Sequence, residues 1–359
     1  MSVAALPQEL VRLIMEYLEN ERATLHALAC TCKHVHLEVM RVLYRSMTDP
    51  DGTRSYKFLL KIRKYRHLAQ LVRVYRSPDT TNTSRGSLWG LIRRCLPLMN
   101  NLKELDLLRL TGNPLKLLPS LPKGQALPFQ LQKLYICSNG HEEEVTRLLE
   151  TQHELKYLDL GSSARELKLS HEACPNLRTL HAYVKLARNI LQGRQVIELD
   201  LKIGQIGHNS FYLEEMTRSL SEFEATHVRS LSIDNFFSRW WNDLDARGIK
   251  PFPNVELLQA RETCISHISQ IAPDLTKFPR LKQLVLSPSR PILPERYDEI
   301  CAGVSLYLTK HLNLKYIDIF WDKPRLYQRW VDGVLQPGLI DYAQVFNPQG
   351  LGIDFLSNY

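Results

Sequence analysis

The stretch LKYLDL at residues 155–160 carries apolar side chains at its first, fourth and sixth positions. Its last two apolar positions flank one polar residue, and this alternation is typical of a half-buried β-strand. The pattern occurs nine times, with start-to-start spacings between 19 and 33 residues and a mean of about 26. Its copies are Leu102/Leu105/Leu107, Leu131/Leu134/Ile136, Leu155/Leu158/Leu160, Leu177/Leu180/Ala182, Val196/Leu199/Leu201, Val228/Leu231/Ile233, Val255/Leu258/Ala260, Leu281/Leu284/Leu286 and Leu314/Ile317/Ile319.

Other features of the repeats indicate a strand followed by a helix. Turn-forming prolines precede three copies, at Pro175, Pro253 and Pro279. Between the copies lie helix-like stretches, namely Glu142–Glu150, Tyr212–Glu224 and Asp298–His311. This predicts an α/β fold, an irregular solenoid with a parallel sheet on its concave side and helices outside. A compact α/β domain with a doubly wound sheet is the alternative.

The first part of the chain, residues 6–47, has a different periodicity, which predicts three short helices. Leu6, Leu10, Ile14 and Leu18 recur every four residues, with Leu13 and Tyr17 beside them, and form one apolar stripe along the first helix. So small a helical module has little interior for its apolar side chains. We therefore expect part of this apolar surface to bind a partner.

This segment resembles the F-box family, whose pattern opens with Leu-Pro-x-Glu-Leu. The residues that carry the resemblance are Leu6-Pro7-Gln8-Glu9-Leu10, Ile14, Leu18, Leu25, Cys32-Lys33 and Leu43-Tyr44-Arg45. Val35 replaces the aromatic residue that the family has three positions after the cysteine. The resemblance implies that a Skp-type adaptor binds the helices. The contacts that it implies are Leu6, Pro7, Leu10, Ile14, Leu18 and Leu25.

The repeats resemble irregular leucine-rich repeats, and an F-box before such repeats is the arrangement of ubiquitin-ligase substrate receptors. The resemblance implies an SCF-type complex, in which the adaptor links the chain to a cullin and the repeats bind a client protein. We expect no catalytic activity and no cofactor. The expected domains are an F-box at 1–48, a basic helical linker or solenoid cap at 49–100, repeats at 101–320 and a C-terminal cap at 321–359.

The polar residue between the last two apolar positions of each motif is expected to point away from the core, because strand side chains alternate. Aspartate is frequent there and lysine and arginine are absent, so the hypothesis is an acidic-aromatic surface for a basic client. Alternatively, these aspartates serve only solubility. The predicted client-binding residues are Asp106, Tyr135, Asp159, His181, Asp200 and Asp318.

The formal net charge of +8 is concentrated in one segment. Residues 54–94 contain eleven lysines and arginines and one acid, Asp79. A solvated helix face is the favoured interpretation. The alternative function is a nucleic-acid-associated repeat protein that binds through this segment.

The remaining patterns indicate no catalytic or metal site. The sequence Cys30-x-Cys32-x-His34-x-His36 joins two expected helices, whereas structural zinc sites separate their ligand pairs by a longer spacing. No phosphate-binding glycine loop or nucleophile motif is present. No apolar run reaches the roughly 18 residues of a membrane span, and residues 1–9 do not resemble a secretory signal. We therefore expect a cytoplasmic or nuclear protein that does not bind membranes.

Overall fold

The structure is a computed structural model with two compact units, Met1–Ser162 with Glu172–Cys174 and Ser163–His171 with Pro175–Tyr359. The division falls within residues 101–320, which the sequence assigns to the repeats. The domain boundaries expected from the sequence remain predictions. The structure describes residues 6–48, 51–78, 85–110, 114–118, 127–137, 141–161, 167–202, 225–234, 252–263, 275, 277–288, 297–322, 326–341 and 344–345.

The first unit consists of a helical part followed by short parallel strands. Its described strands pair in chain order, each parallel to the next. The helices are α1 (Gln8–Tyr17), α2 (Arg22–Ala29), α3 (Lys33–Arg45), α4 (Gly52–Lys64), α5 (Arg66–Ala69), α6 (Arg85–Cys95) and α7 (Glu142–Glu150). The strands are β1 (Ser46–Met47), β2 (Val74–Arg76), β3 (Glu104–Asp106), β4 (Lys133–Ile136) and β5 (Tyr157–Leu160).

Helices α1 to α3 form the expected three-helix module, which we call the helical head. Its core consists of side chains from all three helices: Val11, Met15, Leu25, Val39 and Val42 are buried. These five apolar side chains make a small core. The head therefore buries only part of its apolar surface.

The second unit has a parallel sheet that ends in an antiparallel hairpin. Its helices are α8 (Val184–Leu191) and α9 (Tyr297–Lys310). Its strands are β6 (Thr179–Tyr183), β7 (Glu198–Lys202), β8 (Ser230–Asp234), β9 (Leu257–Thr263), β10 (Gln283–Pro288), β11 (Tyr316–Asp322), β12 (Leu326–Val331) and β13 (Val334–Asp341). Strands β6 to β11 are parallel, whereas β12 and β13 are antiparallel.

Strands β12 and β13 form a hairpin whose turn consists of two residues, Asp332 and Gly333. Their φ angles are 47° and 84°, and such positive values at both central residues characterise the tight turn that matches strand twist. Residues 326–341 lie in the region that the sequence assigns to a C-terminal cap. The hairpin thus extends the sheet where the leucine pattern has ended.

All nine motifs of the sequence contain a strand, and their apolar positions form the core. Each of these apolar side chains is at most 4% exposed. The residues just before the second apolar position of each motif pair with one another across neighbouring strands, for example Glu198 with Ser230 and Gln283 with Tyr316. Within each unit the strands follow chain order without reversal. The mixed α/β class is therefore confirmed, and the doubly wound alternative is wrong.

A recurring hydrogen-bond pattern joins the motifs. Within each unit, two successive amides of one motif donate to one carbonyl of the preceding motif, as Arg229 and Ser230 do to Ile197. Lys103 and Glu104 donate in the same way to the Arg73 carbonyl. Residues 72–77, in the segment expected to be a helical linker, therefore contain a tenth motif that sequence inspection missed.

Asparagines placed just before three motifs add a second link between neighbours. The side-chain amides of Asn101, Asn254 and Asn313 donate to backbone carbonyls of the preceding motif at 2.6–2.9 Å. Each bond holds the turn before one strand against the turn before the next. The same side chain in the same place indicates a true structural repeat.

Two of the three helix-like stretches can be compared with the structure. Helix α7 has the predicted bounds, and α9 begins and ends one residue before the predicted stretch. The third stretch, Tyr212–Glu224, lies outside the described residues. Among the helices that the structure describes, none is long and apolar enough to cross a bilayer.

Candidate functional site

The helical head exposes a row of apolar side chains along α1 and the residues before it. Leu6, Leu10, Leu13, Ile14 and Tyr17 recur at helical spacing and are between 44% and 90% exposed. We call these five residues the α1 apolar face. On the opposite side of the helix, Val11 and Met15 are buried in the head core. Helix α1 is therefore apolar on two sides, and only one of them is covered.

A buried carboxylate on α3 fixes the rotation of α1. Glu38 accepts hydrogen bonds from Gln8 at 2.8 Å and Arg41 at 2.6 Å, and it pairs with Arg12 at 3.4 Å. Burial raises the pKa of Glu38, but the bonds from Gln8 and Arg41 and the arginine charges outweigh it, so the pKa lies below its ordinary value. An ionised Glu38 thus holds the Gln8–Arg12 side of α1 against α3 and leaves the α1 apolar face outward.

The structure divides the predicted adaptor contacts into two groups. Leu6, Pro7, Leu10 and Ile14 are exposed, as a docking surface requires. The other two face inward: Leu25 is fully buried in the head core and Leu18 packs half-buried against it. Leu25 is therefore excluded from the surface, because the α1–α3 packing covers it completely.

Three exposed apolar residues of the head were not among the predicted contacts. They are Leu13 and Tyr17 on α1 and Leu37 on α3. Leu13 and Tyr17 lie three and seven residues after Leu10, beside the apolar stripe that the sequence predicts along the first helix. The F-box resemblance did not include them among the adaptor contacts. Leu37 gives no such signal, because its exposure depends on how α3 packs.

In the second unit, the side of the sheet away from the leucine core carries polar side chains, and we call it the polar sheet face. His181, Asp200, Ser232 and Gln259 lie side by side across β6 to β9. All four are buried rather than pointing freely into solvent. The Ser232 hydroxyl donates to Gln259 at 3.2 Å, and the Gln259 amide donates to Ser287 at 3.3 Å.

Arginine side chains neutralise the aspartates of this face. Arg261 donates to Asp200 and also lies 2.6 Å from the Asp234 carboxylate, so one guanidinium bridges β7, β8 and β9. The His181 ring nitrogen Nδ1 lies 3.6 Å from the second oxygen of Asp200. The four side chains form one ion-pair cluster with a cation at its centre.

A second cluster surrounds Asp318 at the end of the parallel strands. Arg329, directly opposite on β12, donates to both Asp318 carboxylate oxygens at 2.6 and 2.8 Å. Gln283 donates to the same carboxylate at 2.7 Å. Asp318 is fully buried. Its charge is thus balanced by a bidentate arginine rather than offered to a partner.

The predicted residues of the first unit are also covered. Tyr135 and Asp159 are buried, and the Tyr135 ring lies 4.8 Å from that of Tyr157. Asp106 is half-buried and accepts the Leu108 amide at 3.0 Å, while burial raises its pKa. The predicted side chains lie on the side of the sheet away from the leucine core, as strand alternation requires, but they are buried or half-buried and do not form a freely exposed acidic surface. Their role in client binding stays a prediction.

The physical reason for this burial is the spacing of the strands. Neighbouring strands lie about 4.8 Å apart, so a short aspartate side chain is shielded by longer side chains on either side. In the second unit, Arg261 on β9 reaches across β8 to Asp200, and Arg329 lies on the strand next to Asp318. Arg261 lies just past its motif and Arg329 on the hairpin, so an inspection limited to the motif positions did not include either one.

The basic segment is exposed along α4 and at the end of α6. Arg54, Lys57, Lys61, Arg63, Lys64, Arg66, Arg73, Arg93 and Arg94 all reach solvent. The one acid of the segment, Asp79, lies outside the described residues.

The Cys30–His36 segment contains two exposed free cysteines, Cys30 and Cys32. His36 uses its ring nitrogen Nδ1 in a contact of 3.0 Å with the Ala29 carbonyl. Across the part of the chain that the structure describes, no group of three or more His, Cys, Asp or Glu side chains is arranged to hold a metal ion.

Comparison with known proteins adds no relative from which a role could be inferred. Neither a protein-family model nor a curated protein matches the chain.

Proposed function

We propose that this chain is the substrate-recognition subunit of an SCF-type ubiquitin ligase, acting in the cytoplasm or nucleus. The helical head binds a Skp-type adaptor and through it a cullin. The body, a leucine-rich-repeat solenoid, binds the client protein and holds it for ubiquitin transfer by other subunits. This is catalysis by proximity, with no covalent step in the chain itself.

The observation that carries the proposal is the α1 apolar face. Five apolar side chains in one row remain exposed on a module whose own core is already packed. Contiguous apolar surface on a folded protein is typical of an interaction site. Four of the six contacts that the F-box resemblance implies, Leu6, Pro7, Leu10 and Ile14, are exposed on this side of the head.

The regular hydrogen bonding between motifs supports the repeat interpretation of the body. Within each unit, neighbouring motifs are joined through a shared carbonyl, which is how repeats that contact only their neighbours stack. The pairing of Arg261 and Arg329 with the aspartates removes the argument for a basic client. We therefore describe the client by the segment it presents rather than by its charge.

The direct test replaces Leu10 and Ile14 with aspartate in the full chain. Two charges in the centre of the α1 apolar face should weaken adaptor binding at least about 100-fold, since central apolar contacts of an interface each contribute on the order of 2 kcal/mol. The measurement is titration calorimetry with purified Skp-type adaptor. Cullin should be lost from affinity-purified complexes of the variant together with the adaptor.

The matched control is Leu312→Asp, which places the same charge on a leucine that is 94% exposed in the second unit. It should leave adaptor affinity unchanged. Circular dichroism spectra of all variants should match, because each changed residue is exposed. Full adaptor binding by the Leu10→Asp/Ile14→Asp chain would refute the docking surface.

The second candidate function is nucleic-acid binding through the basic segment. The exposure of nine lysines and arginines between Arg54 and Arg94 favours it. Affinity for a 20-nucleotide RNA or DNA would then fall steeply between about 50 and 200 mM salt, because bound phosphates release counterions. Replacement of Lys57, Lys61 and Lys64 by glutamine should reduce that slope. Absence of binding at 50 mM salt would remove this candidate.

A further inference from the structure

Two apolar residues interrupt the polar sheet face of the second unit. In the row of His181, Asp200, Ser232 and Gln259, the next position on β10 is Val285. In the parallel row of Glu198, Ser230 and Gln283, the residue on β9 is Leu257. Both apolar side chains are buried although they lie on the side of the sheet away from the leucine core.

The side chain that covers them comes from the C-terminal part of the chain itself. Val345 is fully buried and packs in one cluster with Leu257, Val285 and Tyr327. Phe320 and Ile340 pack against the same cluster. A single valine side chain thus fills a recess on the polar sheet face.

Polar donors at the edge of this recess bind the backbone of the same segment. The Gln283 amide donates to the Val345 carbonyl at 2.6 Å. The Arg329 guanidinium lies 3.4 Å from the Gln344 carbonyl and 3.5 Å from that of Val345. We call Leu257, Val285, Tyr327, Gln283 and Arg329 the Val345 socket.

The donors of the socket have partners on the sheet in addition to the C-terminal segment. Asp318 fixes Arg329 through two hydrogen bonds and Gln283 through a third. Arg329 also lies over the Tyr316 ring, 5.3 Å from its centroid. Side chains fixed in this way lose little conformational entropy when they bind a carbonyl, which favours recognition of a peptide backbone.

The chain reaches the socket through a reciprocal turn after β13. The Asp341 carboxylate accepts the Gln344 amide at 2.8 Å, and the Gln344 side chain accepts the Asp341 amide at 3.0 Å. Such a pair of bonds is a capping box. These two bonds are local. Among the residues that the structure describes after Asp341, the contacts with the sheet face are the Val345 side chain and the carbonyls of Gln344 and Val345.

We propose that the Val345 socket is a peptide-binding site, occupied in cis by the C-terminal segment until a client segment displaces it. The client segment presents a valine-sized aliphatic side chain next to accessible backbone carbonyls. The identity of the displacing segment as a client rests on the proposed function, whereas the socket and its occupant do not. The C-terminal segment therefore sets an affinity threshold that a client must exceed.

The experiment uses the full chain and a fluorescent synthetic peptide of residues 339–350. Val345→Ser in the chain removes the aliphatic side chain that fills the socket, so the peptide should bind this variant at least about tenfold more tightly than the wild-type chain. In the wild type, the linked segment competes at a millimolar effective concentration. The affinity is measured by fluorescence polarisation of the labelled peptide as the concentration of each chain is raised.

Two controls make the result specific to the socket. Val334→Ser makes the same change on a valine of the β12–β13 hairpin that is 64% exposed. This chain should bind the peptide as weakly as the wild-type chain does. A peptide with Val345→Asp should not bind the Val345→Ser chain. If the Val345→Ser chain does not have the wild-type circular dichroism spectrum, it is replaced by a chain that ends at Asp341. The same peptide-binding results are then expected.

The proposal is wrong if the folded Val345→Ser chain, or the shortened chain used in its place, does not bind the peptide. It is also wrong if that chain binds the peptide no more tightly than the wild-type chain does. Adaptor binding is measured on the same samples. A chain that binds the adaptor but not the peptide would refute the socket alone. A chain that binds the peptide but not the adaptor would refute the ligase role and leave the socket in place.

Discussion

Removal of Arg329 is expected to destabilise the second unit strongly. Arg329→Met keeps most of the side-chain volume but leaves the fully buried Asp318 carboxylate with Gln283 as its remaining hydrogen-bond donor among the contacts described above. Breaking a buried ion pair by removing one partner costs about 3–5 kcal/mol. With a urea dependence of roughly 2 kcal/mol/M, the midpoint of the affected transition should fall by about 2 M.

The same reasoning gives a pH dependence with a definite sign. Burial raises the pKa of Asp318, whereas Arg329 and Gln283 lower it. Loss of Arg329 therefore raises that pKa further above the unfolded value. Protonation then favours the folded state, so the destabilisation of Arg329→Met relative to wild type should shrink as the pH falls from 8 to 5.

The matched comparison is Lys282→Met in the same unit. Lys282 and Glu256 form an ion pair of similar length, 2.7 Å, but their side chains are 62% and 33% exposed. Its loss should cost at most about 1 kcal/mol. The stability of both variants is measured by urea unfolding and by hydrogen exchange of β11 and β12. If Arg329→Met and Lys282→Met lose equal amounts of unfolding free energy, the argument from burial is wrong. The double variant Arg329→Met/Asp318→Leu should be less destabilised than Arg329→Met alone.

Three further changes have expected outcomes in separate parts of the fold. Glu38→Gln should lower the stability of the helical head at pH 7, by hydrogen exchange of α1 to α3; because the pKa of Glu38 is lowered on folding, the difference should shrink as the pH falls below its ordinary value of 4.5 and be lost as the pH falls through the lower pKa of the folded state. Gly333→Ala should cost about 1 kcal/mol in thermal unfolding, since the residue has a φ of 84° and a side chain is strained there, whereas Gly338→Asn, which tolerates the left-handed region, should cost less. Asn254→Ala should cost about 0.5–1.5 kcal/mol through the lost bond to Thr226, with exchange increasing at the β8 and β9 turns.

The apolar positions of the motifs were sufficient to predict most of the strands. Each copy places three apolar side chains on one side of a short extended segment, and burial of that side determines the register. The tenth motif escaped detection because its final position is Ser77, a buried polar residue where the other copies have an apolar one. Tyr75, its second position, is fully buried as the pattern requires.

The hairpin at the C-terminal end had a local signal that the leucine pattern concealed. Asp332-Gly333 between Val331 and Val334 is a strong sequence indicator of a two-residue hairpin turn. Attention to leucine spacing assigned the region only as a C-terminal cap and did not identify the hairpin. The antiparallel pairing of β12 with β11 then brings Arg329 opposite Asp318, a contact that neither residue's neighbours in sequence indicate.

The sequence by itself determined the helices of the head, the nine strands and the side of each strand that faces the core, because these follow from local periodicity and apolar burial. Only the tertiary structure decided which polar residues remain available to a partner. Leu25 is enclosed by helix packing, Asp200 and Asp318 are paired with arginines from other strands, and Val345 covers Val285. Each of these contacts joins residues distant in the chain, and exposure depends on such contacts rather than on the residue type at one position.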